Sequence, residues 1–293
     1  MASPAANAQP VTLTPAVPEH IPELGRICYA AFKELQDRHS VVVDLPSVQA
    51  GRQLIGLLVA RPEYYGVAAK VGNELAGSNF LSVADEVAGV GPITVDSAFQ
   101  GRDIGRMLML DVLREARDRG IAKVRLVQEA INTGSISLYA RLGFETRHGL
   151  ALMRPVAAVT EDASVRRVVP ADLDVLDALC RRFYKVSRRA ALAMFLEVGF
   201  PVFVRERGGR IVAYLVPGFF GHGVAETEED AVTLASQAAR ILPEPTTVFC
   251  PLDEHPLFRA FLAAGFRTVK MMNLMTFGPY EEPDRVWMPS ILY

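Results

Sequence analysis

At 293 residues, half of them apolar, the chain has room for two domains of ordinary size and a sizeable core. Its formal net charge of −2 excludes a general nucleic-acid or anionic-membrane binder, because both need a basic field. Cys28, Cys180 and Cys250 lie far apart with no C-x-x-C and no paired histidine, which fits a reduced cytoplasmic protein and calls for no metal.

Residues 1–10 are small and polar and are expected to be mobile. Met1-Ala2-Ser3-Pro4 lacks the basic and apolar segments of a secretory leader. Val11-Thr12-Leu13 alternates as a first strand. Pro15 and Pro18 break it, and Glu19 opens a helix with Ile21, Leu24, Ile27, Cys28, Ala31 and Phe32 on one apolar stripe. The polar run Gln36-Asp37-Arg38-His39 reads either as a solvated helix end or as a substrate-binding loop. Asp44 and Ser47 are placed to cap a second helix carrying Leu54, Ile55 and Leu58. Tyr64–Val71 and Leu75–Leu81 form a hairpin around Gly72-Asn73, a pair that tolerates the positive φ of a tight turn. Val87–Val95 is the next strand. Its central Pro92 removes a ladder bond, which marks either a functional splay or an ordinary edge irregularity.

Val87–Phe144 is the stretch around which the chain is organised. Gln100-Gly101-Arg102-Asp103-Ile104-Gly105-Arg106 follows an apolar strand and precedes an amphipathic run of Ile104, Leu108, Val112 and Ala116. A turn that opens a helix presents backbone N–H donors and the positive end of the macrodipole, so it favours an anion, a phosphate above all. Arg102 and Arg106 add cationic side chains beside those donors. Asp103 would repel a pyrophosphate if it faced the loop, so it is expected to point outward. Lys123–Gln128 forms a further strand, Asn132 can cap the short helix after it, and Ser135, Leu138 and Tyr139 precede Leu142-Gly143-Phe144.

The spacing N-x-x-S-x-x-L-Y-x-x-L-G-F, downstream of a Q-x-x-x-x-G loop, resembles the GCN5-related N-acetyltransferase (GNAT) superfamily, whose members move an acetyl group from acetyl-CoA to an amine. The resemblance covers most of residues 11–154. It implies an α+β fold in which a mixed, mostly antiparallel sheet with a splayed central strand pair is flanked by helices. It also implies that Ile93, Thr94, Val95, Gln100, Gly101, Arg102, Asp103, Ile104, Gly105, Arg106, Asn132 and Ser135 bind the cosubstrate, acetyl-CoA. Where the family pattern has its first glycine, this chain has Asp103. Tyr139 takes the role of the proton donor to the departing sulfur, and the Val95 N–H that of an oxyanion donor. Glu129 is the best-placed carboxylate for a base, ahead of Glu86 and Asp96, and water-relayed deprotonation is the alternative.

After a linker at 157–164 the pattern restarts. Val165–Val169, Pro170-Ala171 and the helix through Leu173, Leu176, Leu179, Cys180 and Phe183 echo the first strand and helix. Phe200–Val204 and Ile211–Pro217 echo the hairpin, and Ala264-Gly265-Phe266 echoes Leu142-Gly143-Phe144. The expected order is a catalytic GNAT-like domain at 11–156, a degenerate copy at 165–278, and a docked tail at 279–293. An offset of 122 between Gly143 and Gly265 sets Phe261 opposite Tyr139 and Glu254 opposite Asn132. The acidic run Glu226–Asp230 replaces the glycine loop, so this copy is expected to be catalytically empty and to cover the open sheet edge of the first.

The implied activity is acetyl transfer to an amine on a small molecule or a protein. The alternatives are a CoA-binding sensor or assembly module without efficient turnover, or a structural pseudo-enzyme. No nucleic acid or membrane partner is expected; the longest apolar run, Ala190–Val204, is interrupted by Glu197. The oligomeric state stays open, a homodimer included.

Overall fold

The computed structural model describes residues 9–42, 44–156, 161–242, 246–284 and 286–292. The expectations for residues 1–8, for 157–160 of the linker, and for Arg285 and Tyr293 of the tail lie outside the described residues. In chain order the first repeat runs β1 (Val11–Pro15), α1 (Ile21–His39), α2 (Val48–Ala60), β2 (Tyr64–Val71), β3 (Glu74–Ser82), β4 (Val87–Val90), β5 (Thr94–Val95), α3 (Ile104–Asp118), β6 (Lys123–Glu129), α4 (Thr133–Arg141) and β7 (Glu145–Pro155). The second runs β8 (Val165–Arg167), α5 (Leu173–Tyr184), α6 (Arg189–Glu197), β9 (Phe203–Arg207), β10 (Arg210–Leu215), β11 (Gly223–Ala225), α7 (Glu228–Ile241), β12 (Val248–Pro251), α8 (His255–Ala263) and β13 (Phe266–Phe277), followed by β14 (Val286–Met288). The order strand, two helices, hairpin, strand, helix, strand, helix, strand occurs twice.

Backbone contacts divide the chain differently. One compact unit takes the chain up to Val83 together with Val90–Gly120; the other takes Ala84–Gly89 and everything from Ile121 on.

In the first unit β1, β2 and β3 form an antiparallel sheet, with β5 paired to β3 through Gly77↔Val95 and Ser78↔Thr94. Gly72, at φ 60°, makes the hairpin turn. Strand side chains alternate between faces. Ala68 and Phe80 therefore point to α1 and α2, in a core with Leu24, Ile27, Cys28, Ile55 and Leu58. Tyr65 and Asn79 point the other way, to α3: the Tyr65 hydroxyl donates to Asp111 at 2.6 Å and the Asn79 amide to the Leu108 carbonyl at 3.4 Å. The two helices touch through glycines. A Cβ on Gly51 would lie 2.4 Å from the Gly25 carbonyl oxygen, and one on Gly25 would lie 2.6 Å from the Arg52 Cα.

In the second unit the two repeats exchange their last strands. β4 lies parallel to β6, while β13 of the second repeat enters the first between β6 and β7 and is antiparallel to both. In return β7 pairs with β12, and its Ala151 and Met153 fill the second repeat's core beside Phe203, Leu234, Phe261 and Phe266. The expected covering of a sheet edge is thus an insertion. From Met272 to Thr276, β13 has main-chain partners on both sides, so its backbone groups there are met within the ladder rather than by side-chain packing over an edge. A separate sheet in the same unit has the order β14-β11-β10-β9-β8. The tail segment β14 pairs with β11 and buries Trp287 at 1% exposure, its indole edge-on to Tyr184 and His148.

No helix among the described residues is long and apolar enough to cross a membrane. Because the space at the α1–α2 crossing is taken up by backbone, Gly51→Ala is expected to cost about 1–3 kcal/mol, the scale of overpacking in a filled core. A lower urea midpoint at unchanged m-value checks this.

Candidate active site

The turn before α3 belongs to the first unit. Asp96 starts it, accepting a hydrogen bond from the Ala98 N–H at 3.0 Å and an ion pair from Arg26 at 2.5 Å. The Gln100 amide reaches back to the Val95 carbonyl at 3.4 Å. Gly101 at φ 76° and Asp103 at φ 61° then bend the chain so that α3 begins at Ile104, whose side chain is 1% exposed and pins the helix start to the core. A Cβ added to Gly101 would meet nothing within 4 Å, so the backbone there is open to a ligand. Residues at the head of a helix have no earlier carbonyls to bond, so the N–H groups of its first turn face outward as anion donors. The Asp103 side chain is 61% exposed and pairs with Arg106 at 3.2 Å. Arg102 lies 6.0 Å over the Phe99 ring. Upstream, Gly91 has φ 134° and gives its N–H to the Phe80 carbonyl at 2.9 Å, and the peptide to Pro92 is cis. The chain then passes Ile93 into Thr94, buried, and Val95, partly buried.

The second unit holds the end of the motif. The β4–β6 ladder runs Val87↔Lys123, Ala88↔Val124 and Gly89↔Arg125, whereas β6 continues against β13 to Met272↔Glu129. Past Arg125 the parallel ladder ends. The α4 helix follows directly. The Asn132 side chain caps it by accepting from the Ser135 N–H at 3.1 Å, and Tyr139 follows one turn after Ser135 on the same helix. Tyr139 packs on Phe144, and Phe144 on Phe277 of β13, at ring centroid separations of 6.0 and 5.6 Å. Burial pushes the phenol up to about 12. It is therefore a neutral proton donor throughout the physiological range.

Glu129 is 5% exposed and accepts from the Lys270 ammonium of β13 at 2.9 Å. The carboxylate expected as a base thus has a buried cationic partner. The other two carboxylates are also engaged: Glu86 with the Ser187 N–H at 2.5 Å, and Asp96 with Arg26. Lys270 escaped the sequence reading because its partner lies 141 residues away. The one available signal was a lysine next to the apolar pair Met271-Met272 in the run Phe266–Phe277.

The second repeat differs at both ends of the pattern. Phe261 is fully buried where the first repeat has Tyr139, and Glu254 at the head of α8 makes no side-chain cap. At α7, Thr227 caps the helix and Asp230, fully buried, pairs with Arg205 at 3.2 Å, while Glu226 is gripped by Arg210 at 2.6 Å. Glu226 and Asp230 are thus met by arginines of the neighbouring hairpin, while the Glu229 side chain, also paired with Arg205, stays 78% exposed. Among the described residues no group of three or more His, Cys, Asp or Glu side chains is placed to hold a metal ion.

Twice-repeated topology, a parallel strand pair and a helix-opening turn define an α+β protein built as a tandem repeat. The acetyltransferase (GNAT) family profile matches residues 28–144. The ribosomal protein bS18-alanine N-acetyltransferase of Salmonella typhimurium is 30% identical over 102 residues, 35% of this chain and 69% of that protein. The mycothiol acetyltransferase of Nocardia farcinica is 44% identical over 68 residues, so the match spans only 22% of that relative's length and 22% of this chain. A tandem GNAT protein from the clavulanic acid biosynthesis pathway shares the fold, with a TM-score of 0.59 at 14% identity over 93% of this chain and 100% of the other. The chain belongs to the GNAT acetyltransferase family.

Two predictions follow from the buried titratable groups. Burial raises Cys28, Cys180 and Cys250 from 9.0 to about 12, and Tyr139 and Tyr184 from 10.0 to about 12. Because the folded-state values are the higher ones, their contribution is whole below pH 9 and is lost as pH rises toward 12. Thermal midpoints are expected to fall steeply between pH 9 and 12, with the three thiols unreactive to a disulfide reagent below that window. Removing one partner of a buried ion pair is worth about 3–5 kcal/mol. Lys270→Met is accordingly expected to destabilise on that scale, and Glu129→Gln added to it to restore part of the loss, both read from denaturant midpoints.

Proposed function

We propose that this protein is an acetyl-CoA-dependent N-acetyltransferase working through direct attack of a primary amine on the thioester. The observation that carries the reading is the Asn132–Tyr139 stretch: a helix start capped by the Asn132 side chain, with a buried phenol two turns further along the same short helix. The turn at Gln100–Arg106 receives the diphosphate, with the first N–H groups of α3 as donors and Arg102 and Arg106 as cationic partners. Asp103, turned to Arg106 and solvent, leaves the backbone cradle clear. Ile93, Thr94 and Val95 run beside the arm, and the Val95 N–H polarises the thioester carbonyl.

The amine nitrogen bonds to the carbonyl carbon, the C–S bond breaks, and the sulfur leaves with the bonding pair. Tyr139 donates to that sulfur as charge develops on it. The net change is an ammonium plus acetyl-CoA giving an amide, CoA thiol and one proton released to solvent. Deprotonation of the ammonium runs through water, and Glu129 is held by Lys270 at the end of β6. The acceptor is an amine of a small molecule or of a protein. The names of the relatives, a mycothiol acetyltransferase and a ribosomal protein alanine acetyltransferase, span both kinds. Three free, buried thiols suit a reducing cytoplasmic setting.

CoA thiol release, followed across a panel of amines with calorimetry against acetyl-CoA, tests this. Tyr139→Phe is expected to lower kcat by about 10²–10³-fold, the range of general acid catalysis, with the acetyl-CoA dissociation constant held. Saturable binding by the wild-type protein with no turnover on any amine would overturn the catalytic reading in favour of a CoA sensor.

A further inference from the structure

Gln128 is the residue the mechanism above leaves without work. It is 6% exposed, both polar atoms of its carboxamide are inaccessible to solvent, and neither has a hydrogen-bond partner. A buried primary amide normally has its donors and acceptor met, and leaving them unmet costs stability. Such a group is one that a partner from outside the folded chain can complete.

Its position says what that something is. On β6 the side chains of Val124, Leu126 and Gln128 share a face, and on β13 those of Phe277, Met275 and Asn273 stand opposite in the ladder. Phe277 touches Phe144, which touches Tyr139, so this is the face covered by α4 and its phenol. Glu129 and Lys270 lie on the other face. Gln128 also falls in the part of β6 that runs on after the ladder with β4 has ended at Arg125. The unmet amide therefore sits past the end of the parallel ladder, on the same face as Tyr139.

We infer that the Gln128 carboxamide binds a secondary amide of the arm that carries the acyl thioester, its C=O accepting from the arm's N–H and its NH₂ donating to the arm's carbonyl. The assignment rests on the cosubstrate reading above. A secondary amide has one donor and one acceptor, which matches the unmet pair; a hydrocarbon chain would satisfy neither. Gln128 thus selects a pantetheine-type arm and sets how deep it lies, bringing the sulfur to the phenol.

Gln128→Leu tests it, since leucine keeps the bulk and removes both unmet atoms. The apo variant is expected to melt at or above the wild-type temperature, because a buried unsatisfied group has been deleted. Its dissociation constant for acetyl-CoA is expected to rise about 5–10-fold, as for a lost hydrogen bond or two. Its affinity for adenosine 3′,5′-bisphosphate, which has the nucleotide end and no arm, is expected to stay at the wild-type value. Unchanged acetyl-CoA affinity overturns the assignment, as does an equal loss with the arm-less nucleotide. Should the leucine variant fail to fold, the ¹⁵N-labelled Gln128 side-chain amide of the wild-type protein serves instead. Its resonances shift on adding acetyl-CoA but not the bisphosphate if the assignment holds, and respond to neither or to both alike if it does not. Wild-type protein that binds no acetyl-CoA at all sinks the function proposed above rather than the role of Gln128 within it.

Discussion

The main-chain ladder that β13 makes with β6 on one side and β7 on the other is the constraint from which the rest of the second unit follows. A strand with both edges paired cannot slide without turning every side chain to the opposite face. The register Met272↔Glu129 through Phe277↔Val124 therefore fixes two chemistries at once. Lys270 is brought to Glu129 on one face, and Phe277 is brought under Phe144 and Tyr139 on the other. The first repeat's tyrosine is thus seated on a strand supplied by the second, and the second repeat's core is completed by Ala151 and Met153 of the first. Strands β6 and β7 of the first repeat are therefore bridged by a strand of the second.

The two repeats also show what a helix start does with its positive end. At α3 the turn carries glycine and its carboxylate faces solvent beside Arg106, so the first-turn donors point at open space. At α7 the same field is met from within: three acidic residues occupy the first turn, and Asp230 is buried against Arg205 and Arg207. The positive end of α7 is thus met by carboxylates of its own chain, whereas the first turn of α3 carries none.

Much of the first repeat was legible in the sequence because its signals are local. The hairpin around Gly72-Asn73, the amphipathic α3 and the Asn132 cap each depend on residues within a few positions of one another, and each is found where periodicity and turn chemistry put it. The outward set of Asp103 was readable too, from charge repulsion alone. The expectation that the second copy lies over a sheet edge gave way to insertion. Hydrophobic alternation marks a strand and its faces but says nothing of which neighbour it pairs with.

The sequence by itself determined the repeat, the anion-favouring turn and the tyrosine motif, since helix period, glycine conformation and capping are properties of short segments. Only the tertiary structure decided that Glu129 is held by Lys270, that Asp230 is neutralised by arginines from a separate hairpin, and that the Gln128 amide is left without a partner. Those outcomes depend on strand register between segments more than a hundred residues apart for Glu129, and on burial for all three. Register and burial are set by how whole sheets pair and pack, which no local window of residues encodes.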